Sequence, residues 1–434
     1  MVVANAPGAA ARHQPQWLKL DNAAKIYPAT YTKKQNHQYC WSAVLSEDVD
    51  RAVLQGALAA VMPRFPSIAV ALHRGLFWYY FETTTDVPPI EDDTPCPLAH
   101  RSFREIRRCG FRVRVGGARL SLDFFHAVTD GTGSGIFFKT LLAEYLRRKH
   151  GLTIPCERGV LDLREAPKAA ELEDCFPGFA GAVARRGAEV KAYQLSGTME
   201  ENGWLNFTTL SYPLEQALAC AKAHGVTLTG LMCAAMIQAV CRVQRTARPR
   251  GRQKDVAVTI PVNLRKMHPS TTLRNFSLYA TPYVDPNQGE WTFDEICRRV
   301  RGQMSVMITP REMAACVAAN VGAEKSMLVR LLPLPLKNLA MKIVYQILGN
   351  DSCCLSLSNL GEFQLPEAMY DYVRDVQCLL DAHKGAANSC GMMSYQGRVR
   401  LYFCRCYQEP TLEYAFYQVL REQGLRARAS ANAR

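Results

Sequence analysis

Apolar residues in the first part of the chain follow two different repeats. Residues 39–46, 68–73 and 77–82 are short runs rich in aromatic and branched side chains, which is typical of β-strands. Residues 48–64 repeat their apolar positions at helical spacing and begin with Asp48, a residue type that favours the start of a helix. The opening part of the chain is therefore predicted to alternate strands with helices.

A hairpin and a helix are predicted next. The strand patterns at 111–115 and 119–126 flank residues 116–118, Gly-Gly-Ala, whose glycines accept the positive φ of a tight turn. On the second strand His126 shares a face with the apolar Phe124, because side chains alternate along a strand. A glycine-rich turn and an amphipathic helix follow, so His126 is expected where a strand passes into a helix.

The second half of the chain repeats this style. Strand and helix patterns are found at 203–212, 214–224, 227–245, 255–262, 276–284, 292–308, 310–320, 353–358, 374–380, 390–395, 398–407 and 410–423. We divide the chain into a disordered N-terminus at 1–15, a first half at 16–155, a linker at 156–195 and a second half at 196–434. An α/β protein built from two αβ halves is expected.

Residues 326–348 form the most apolar segment of the chain. Three basic residues interrupt this segment, and Pro333 and Pro335 break it. It is therefore predicted to pack against the interior, and no transmembrane segment is expected. Contact of this segment with a membrane surface stays open as an alternative.

Charge and cysteine usage narrow the classes of function. The formal net charge of +13 favours anionic partners, but no helix carries a continuous basic stripe with interleaved aromatic residues, so nucleic acid is not expected. The sixteen cysteines include no CxxC pair, and many lie in apolar runs. We expect free thiols, no zinc site and, since the N-terminus lacks the pattern of a signal peptide, a cytoplasmic protein.

The candidate chemistry lies in residues 126–131, HAVTDG. The imidazole of His126 can accept a proton near neutral pH, as activation of a hydroxyl, amine or thiol nucleophile requires. Asp130 is the nearest carboxylate after it, and Gly131 is expected to let the backbone turn sharply into the helix. The other histidines show no mutual metal-ligand spacing, and a purely structural buried histidine remains the alternative.

The HxxxDG pattern at a strand-to-helix turn resembles the signature of the chloramphenicol-acetyltransferase-like superfamily. That superfamily includes non-ribosomal peptide condensation domains, plant BAHD acyltransferases, wax ester synthases and alcohol acetyltransferases. Further stretches resemble bacterial alcohol acetyltransferase-like proteins: LDNAAKIYPA (20–29), RFPSIAVALHRGLFWYYFE (64–82), FFHAVTDGTG (124–133), TIPVNLRKMHPSTTLRNF (259–276), LSLSNLGEFQLP (355–366) and NSCGMMSYQG (388–397). The resemblance spans nearly the whole chain from about residue 17.

The resemblance implies two sandwich halves of α/β class with an active-site tunnel between them. His126 would then be the general base of direct acyl transfer from acyl-CoA, with no permanently bound cofactor. Ser358 and Asn359 are candidates for stabilising the oxyanion or lining the tunnel. Asp130 is expected to be structural and to form an ion pair with Arg265.

The chain departs from relatives in ways that bear on its substrates. Phe125 stands where many condensation domains have a second histidine, and SNLGEF stands where BAHD enzymes have DFGWG. We expect an acyl, most simply acetyl, group to pass to a small or apolar alcohol or amine acceptor. A carrier-protein-dependent condensation enzyme and a non-catalytic relative that binds a ligand or lipid in the tunnel remain alternatives.

Overall fold

The computed structural model describes residues 16–33, 35–184, 190–249, 251–348, 352–383 and 385–432. The predicted disordered N-terminus lies outside these residues. The strands are β1 (Trp17–Lys19), β2 (Gln38–Leu45), β3 (Val70–Arg74), β4 (Tyr79–Thr83), β5 (Ile90–Asp92), β6 (Phe111–Gly116), β7 (Arg119–Phe125), β8 (Asn206–Pro213), β9 (Val256–Asn263), β10 (Ser277–Ala280), β11 (Tyr283–Val284), β12 (Leu355–Glu362), β13 (Val373–Leu380), β14 (Asn388–Tyr395), β15 (Arg398–Arg405) and β16 (Arg428–Ala431).

The α-helices surround these strands. They are α1 (Ile26–Thr30), α2 (Arg51–Val61), α3 (Phe103–Arg108), α4 (Gly131–His150), α5 (Phe176–Phe179), α6 (Leu214–Ala223), α7 (Leu228–Ala247), α8 (Phe293–Met307), α9 (Pro310–Lys325), α10 (Met327–Leu331), α11 (Leu334–Leu348) and α12 (Thr411–Glu422). The predicted alternation of strands and helices is confirmed, and most boundaries agree within a few residues.

The strands form three sheets, and the order of strands shows how the two halves are joined. A five-stranded sheet has the order β13-β2-β7-β6-β5, and a small sheet has the order β1-β4-β3. The large sheet has the order β10-β9-β12-β14-β15-β8-β16, with β11 beside β9. Strand β13 comes from the second half of the sequence but pairs antiparallel with β2. The cores of the two halves are therefore not separated at the linker.

The predicted hairpin is present, but the start predicted for the earlier helix at 48–64 was misplaced. Strands β6 and β7 pair antiparallel around Gly117, whose φ of 56° is the positive value that glycine accepts readily. Helix α2 begins after Asp50 rather than Asp48, because the Asp50 carboxylate accepts the backbone N–H groups of Ala52 and Val53 at 3.0 and 3.1 Å.

The strand that leads to His126 is buried on both faces. Its Asp123 accepts hydrogen bonds from Arg112 at 2.7 Å and Arg114 at 2.8 Å. Burial by itself raises the pKa of the Asp123 carboxyl, but the two guanidinium groups outweigh burial and lower it. This buried ion-pair cluster fixes β6 and β7 to each other just before the candidate motif.

The predicted linker packs against both halves. Glu171 forms a buried, two-bond ion pair with Arg64, with N–O distances of 2.5 and 2.8 Å. The Glu171 carbonyl also accepts the backbone N–H of Leu273 at 2.9 Å. Residues near the middle of the linker therefore tie the first half to the loop between β9 and β10.

The apolar segment 326–348 forms the separate helices α10 and α11, which meet near Pro333. No described helix alone has the length and apolar character needed to cross a membrane, although α6 and α7, bent by 77°, meet that criterion as a pair by length and composition only. The cysteines in the described part of the chain form no disulfide with one another, and most of them are buried.

Candidate active site

His126 stands at the first residue after β7, between two aromatic rings. The register of β2 and β7 pairs Gln38 with Phe125, so the preceding His37 carbonyl accepts the His126 backbone N–H at 2.9 Å. The imidazole stacks on the Tyr27 ring at 4.7 Å between centroids and meets the edge of the Tyr39 ring at 4.9 Å. Two aromatic contacts and a fixed backbone therefore set the direction of the imidazole.

The surroundings of His126 favour its neutral form. Burial lowers the pKa of the imidazole, and the His126 backbone, Asp130 and Asn275 only partly offset that effect. At neutral pH the ring is therefore unprotonated and can accept a proton. A neutral imidazole is the form that general-base chemistry needs.

The Asp130 carboxylate holds the turn after His126. It caps α4 by accepting the backbone N–H groups of Thr132 and Gly133, both at 3.1 Å, and it accepts the Phe276 N–H at 2.9 Å. Arg265 Nη1 lies 2.7 Å from Asp130 Oδ2, so the expected ion pair is present. Asp130 therefore joins the first half to the second half at the motif.

The Arg265 side chain is only 10% exposed and is engaged by protein groups rather than solvated. Its guanidinium also donates to the carbonyls of Thr272 and Arg274, at distances down to 2.9 and 2.6 Å. The same loop carries Asn275, which donates to the Ala127 carbonyl at 3.2 Å. The loop 264–276 and the HxxxDG turn therefore form one hydrogen-bonded unit.

The expectation that Gly131 is needed for a sharp backbone turn was wrong. Gly131 is the first residue of α4 and is not among the glycines with positive φ, so the turn does not need its conformational freedom. A Cβ atom at Gly131 would meet Leu360 Cδ2 at 2.6 Å, which is the movable end of a side chain. At Gly133, which the sequence did not single out, a Cβ would meet the Leu273 carbonyl oxygen at 2.1 Å.

Gly133→Ala is therefore expected to be more harmful than Gly131→Ala. The added methyl group must push the Leu273 backbone away from the turn, at a cost of about 1–3 kcal/mol in the free energy of unfolding. Gly131→Ala should cost less than about 1 kcal/mol, because the end of Leu360 can rotate away. Chemical denaturation of both variants tests this order, and equal stability of the two would contradict the described approach.

The sequence analysis missed a second titratable group beside His126. His37 precedes β2 and His383 follows β13, and their rings lie 6.1 Å apart. Burial, with His383 and His126 contributing, lowers the pKa of His37 to about 3, and burial lowers that of His383 to about 4. The end of β7, the start of β2 and the end of β13 meet at one sheet edge. The pairing of β13 with β2 brings these histidines together, and no short stretch of the sequence contains that pairing.

Asp381 supports this edge of the sheet. Its buried carboxyl interacts with backbone N–H groups of residues 36–38 and of Ala382. Burial raises its pKa to about 7, although these hydrogen bonds act in the opposite direction. The segment that holds His37, and through it the backbone of His126, is therefore anchored to the end of β13.

Tyrosines from both halves lie close to His126. Tyr279 on β10 is 67% exposed. It lies near Tyr27 and near Tyr345 on α11, and burial raises the pKa of Tyr345 to about 12. One of these tyrosine rings therefore packs directly on the imidazole, and two further tyrosines lie near that ring.

The SNLG segment reaches the motif through Leu360, which approaches Gly131. Asn359 lies farther out: its Nδ2 donates to Thr229 Oγ1 at 2.7 Å, and its Oδ1 accepts the Gly361 N–H at 2.8 Å. Ser358 is partly buried on β12. Of the two oxyanion candidates, Asn359 therefore has its amide engaged away from the motif, and Ser358 stays a candidate.

No arrangement of three or more histidine, cysteine, aspartate or glutamate side chains suitable for a metal ion is found within the described ranges. The two sandwich halves, the strand β13 that crosses between them and the motif at their junction define the two-domain fold of chloramphenicol-acetyltransferase-like and condensation proteins. The predicted fold class is therefore confirmed.

Solved structures show the same fold at low sequence identity. One is F. graminearum TRI101 complexed with coenzyme A and deoxynivalenol, at 10% identity and a TM-score of 0.64, covering 95% of this chain and 99% of that chain. Another is TRI3 trichothecene 15-O-acetyltransferase from Fusarium sporotrichioides, at 8% identity and a TM-score of 0.61, covering 96% of each chain.

A third is the epimerization domain from the third module of tyrocidine synthetase B, at 11% identity and a TM-score of 0.59, covering 94% of this chain and 95% of that chain. No family model matches the chain, and no curated protein matches it. The comparisons therefore establish the fold.

Proposed function

We propose that this protein is an acyltransferase that moves an acyl group, most simply acetyl, from acyl-CoA to a hydroxyl or amine acceptor. The observation that carries the proposal is the neutral imidazole of His126, held between two aromatic rings at the junction of the two halves. We place the substrates in a cleft beside this imidazole. Such an imidazole can remove the proton of a nucleophile held in the cleft.

Two further observations favour a CoA donor. TRI101, which shares the fold, has been crystallised with coenzyme A together with deoxynivalenol, and TRI3 is a trichothecene 15-O-acetyltransferase. The net charge of +13 also suits the phosphate groups of CoA. The aromatic walls of the cleft, formed by Tyr27, Tyr279 and Tyr345, fit a small or apolar acceptor with few charges.

In the proposed reaction His126 takes the proton of the acceptor hydroxyl or amine, and the resulting nucleophile attacks the thioester carbonyl. The tetrahedral oxyanion needs hydrogen-bond donors, and the Ser358 hydroxyl is our candidate. Collapse of the intermediate breaks the carbon–sulfur bond, and the CoA thiolate takes the proton from His126. Asp130 and Arg265 contribute by holding the turn that aims the imidazole.

A carrier-protein donor is the second candidate. It is favoured by the structural likeness to an epimerization domain of a peptide synthetase. Such a donor presents its acyl group on a phosphopantetheine arm, which the same cleft would have to accept from its mouth. A carrier protein would have to dock on the surface of this protein, whereas free acyl-CoA would not. Direct binding measurements therefore distinguish the two donors.

The test is binding and turnover with free acyl-CoA. Calorimetry should detect CoA binding that weakens as salt screens the phosphate contacts. With an active acceptor, kcat/KM should stay constant as pH is lowered through 6.5, since the His126 pKa lies below its usual value and the base stays unprotonated. If CoA does not bind at low salt while an acylated carrier protein does, the carrier-dependent function replaces this one.

A further inference from the structure

One face of the molecule exposes a row of large apolar side chains. On α11, Leu336, Leu339 and Ile343 are spaced at helical intervals and are 54%, 57% and 48% exposed. On α10, Met327 and Leu331 are exposed as well. The outer side of this helix pair is therefore apolar, whereas the outer side of a helix on a soluble protein is usually polar.

A second apolar segment joins this row. The turn between β3 and β4 exposes Leu76 at 74% and Phe77 at 38%. The Leu76 carbonyl accepts the Leu334 backbone N–H at 3.0 Å, and the Phe77 carbonyl accepts Lys337 Nζ at 2.8 Å. The outer sides of α10 and α11 and the turn at residues 75–77 thus form one continuous surface, which we call the apolar face.

Positive charge lies on and beside the apolar face. Residues 326–348 contain no aspartate or glutamate, and their Arg330 and Lys342 are exposed. Helix α3, which packs beside β3, carries three exposed arginines against the single acidic residue Glu105. Exposed Arg74, at the edge of the turn, lies over the Phe103 ring of α3. An apolar centre with a cationic margin complements a surface that is apolar beneath and anionic at its head groups.

We propose that the apolar face binds the surface of an anionic phospholipid membrane. The leucine side chains enter the boundary between head groups and acyl chains, and the basic residues contact lipid phosphates. The exposed apolar side chains come from two helices and a turn, and no acidic residue lies among them. Such a surface fits a fluid apolar layer better than it fits a protein partner with a defined shape. Membrane binding does not depend on the transferase activity.

The position of the apolar face connects membrane binding to the cleft. Helix α11 contacts α1, which carries Tyr27, the ring stacked on His126. The Tyr345 ring of α11 lies 6.3 Å from the His37 ring. If the proposed acyl transfer holds, a membrane bound to the outer side of α11 would present apolar acceptors close to the cleft.

The experiment is flotation of the full-length protein with vesicles of phosphatidylcholine alone and with vesicles that also contain phosphatidylglycerol. Binding is expected only to the anionic vesicles and should weaken with salt. The double variant Leu336→Ser/Leu339→Ser should bind at least about tenfold more weakly, because two exposed apolar anchors are removed. Arg330→Gln should bind about fivefold more weakly.

The matched control is Leu218→Ser/Tyr414→Ser, which removes two equally exposed apolar side chains from α6 and α12. It should bind vesicles like the wild type, and thermal melting should show that all variants are folded. Failure of the wild type to bind anionic vesicles overturns the proposal. So does a dimer in solution that only Leu336→Ser/Leu339→Ser dissociates, since the face would then join two copies of the chain. Acyl transfer in detergent-free solution, measured on the same variants, reports separately on the proposed function.

Discussion

Replacing His126 by alanine is expected to lower kcat about 10²–10⁴-fold, the range that a general base contributes. The reason is that the described residues around the cleft offer no equivalent base in its place. His37 is a neighbouring histidine, but its Nε2 is engaged with Thr30 Oγ1 at 2.8 Å. Burial, with His383 and His126 contributing, also lowers the pKa of His37 to about 3. Steady-state transfer from acetyl-CoA, alongside thermal melting, measures the effect.

The matched control for this variant is His224→Ala. His224 sits at the end of α6, where it pairs with the exposed Asp294. Its replacement should leave kcat unchanged. If a well-folded His126→Ala protein turns over at the wild-type rate, His126 is not the general base of the reaction.

Asp130→Ala is expected to lower the free energy of unfolding by about 3–5 kcal/mol, because it leaves the largely buried Arg265 guanidinium without its partner. The same change removes the cap of α4 and the acceptor of the Phe276 N–H. Activity should fall with stability, since the turn that aims His126 loosens. Chemical denaturation gives the free energy, and a double-mutant cycle with Arg265→Ala isolates the coupling between the two residues.

The chain contains a matched pair for comparison. Asp162 and Arg164 also lie 2.7 Å apart, but Arg164 is almost fully exposed. Asp162→Ala should leave stability nearly unchanged, because water and salt screen an exposed pair. An Asp130→Ala protein that unfolds like the wild type yet has no activity would show that Asp130 acts in catalysis itself.

The local sequence pattern was sufficient to predict much of the site. The alternation of β7, the glycine turn before it and the helix after it placed His126 at the end of a strand, because side-chain periodicity and turn chemistry are properties of neighbouring residues. The pairing of Asp130 with Arg265, which lie 135 residues apart, came from the resemblance to a known superfamily. The role of Gly131 was misjudged, since a close approach by Leu360 depends on a distant segment.

The sequence by itself determined the strand and helix pattern, the HxxxDG motif and the apolar character of residues 326–348. The tertiary structure alone decided which distant segments meet. Crossing of β13 to the sheet of β2 brought His383 and Asp381 to His37, and the packing of α11 against α1 turned its leucines outward. Local periodicity states only that a helix has an apolar side. Whether that side is covered depends on long-range packing, whose partners no short window of sequence contains.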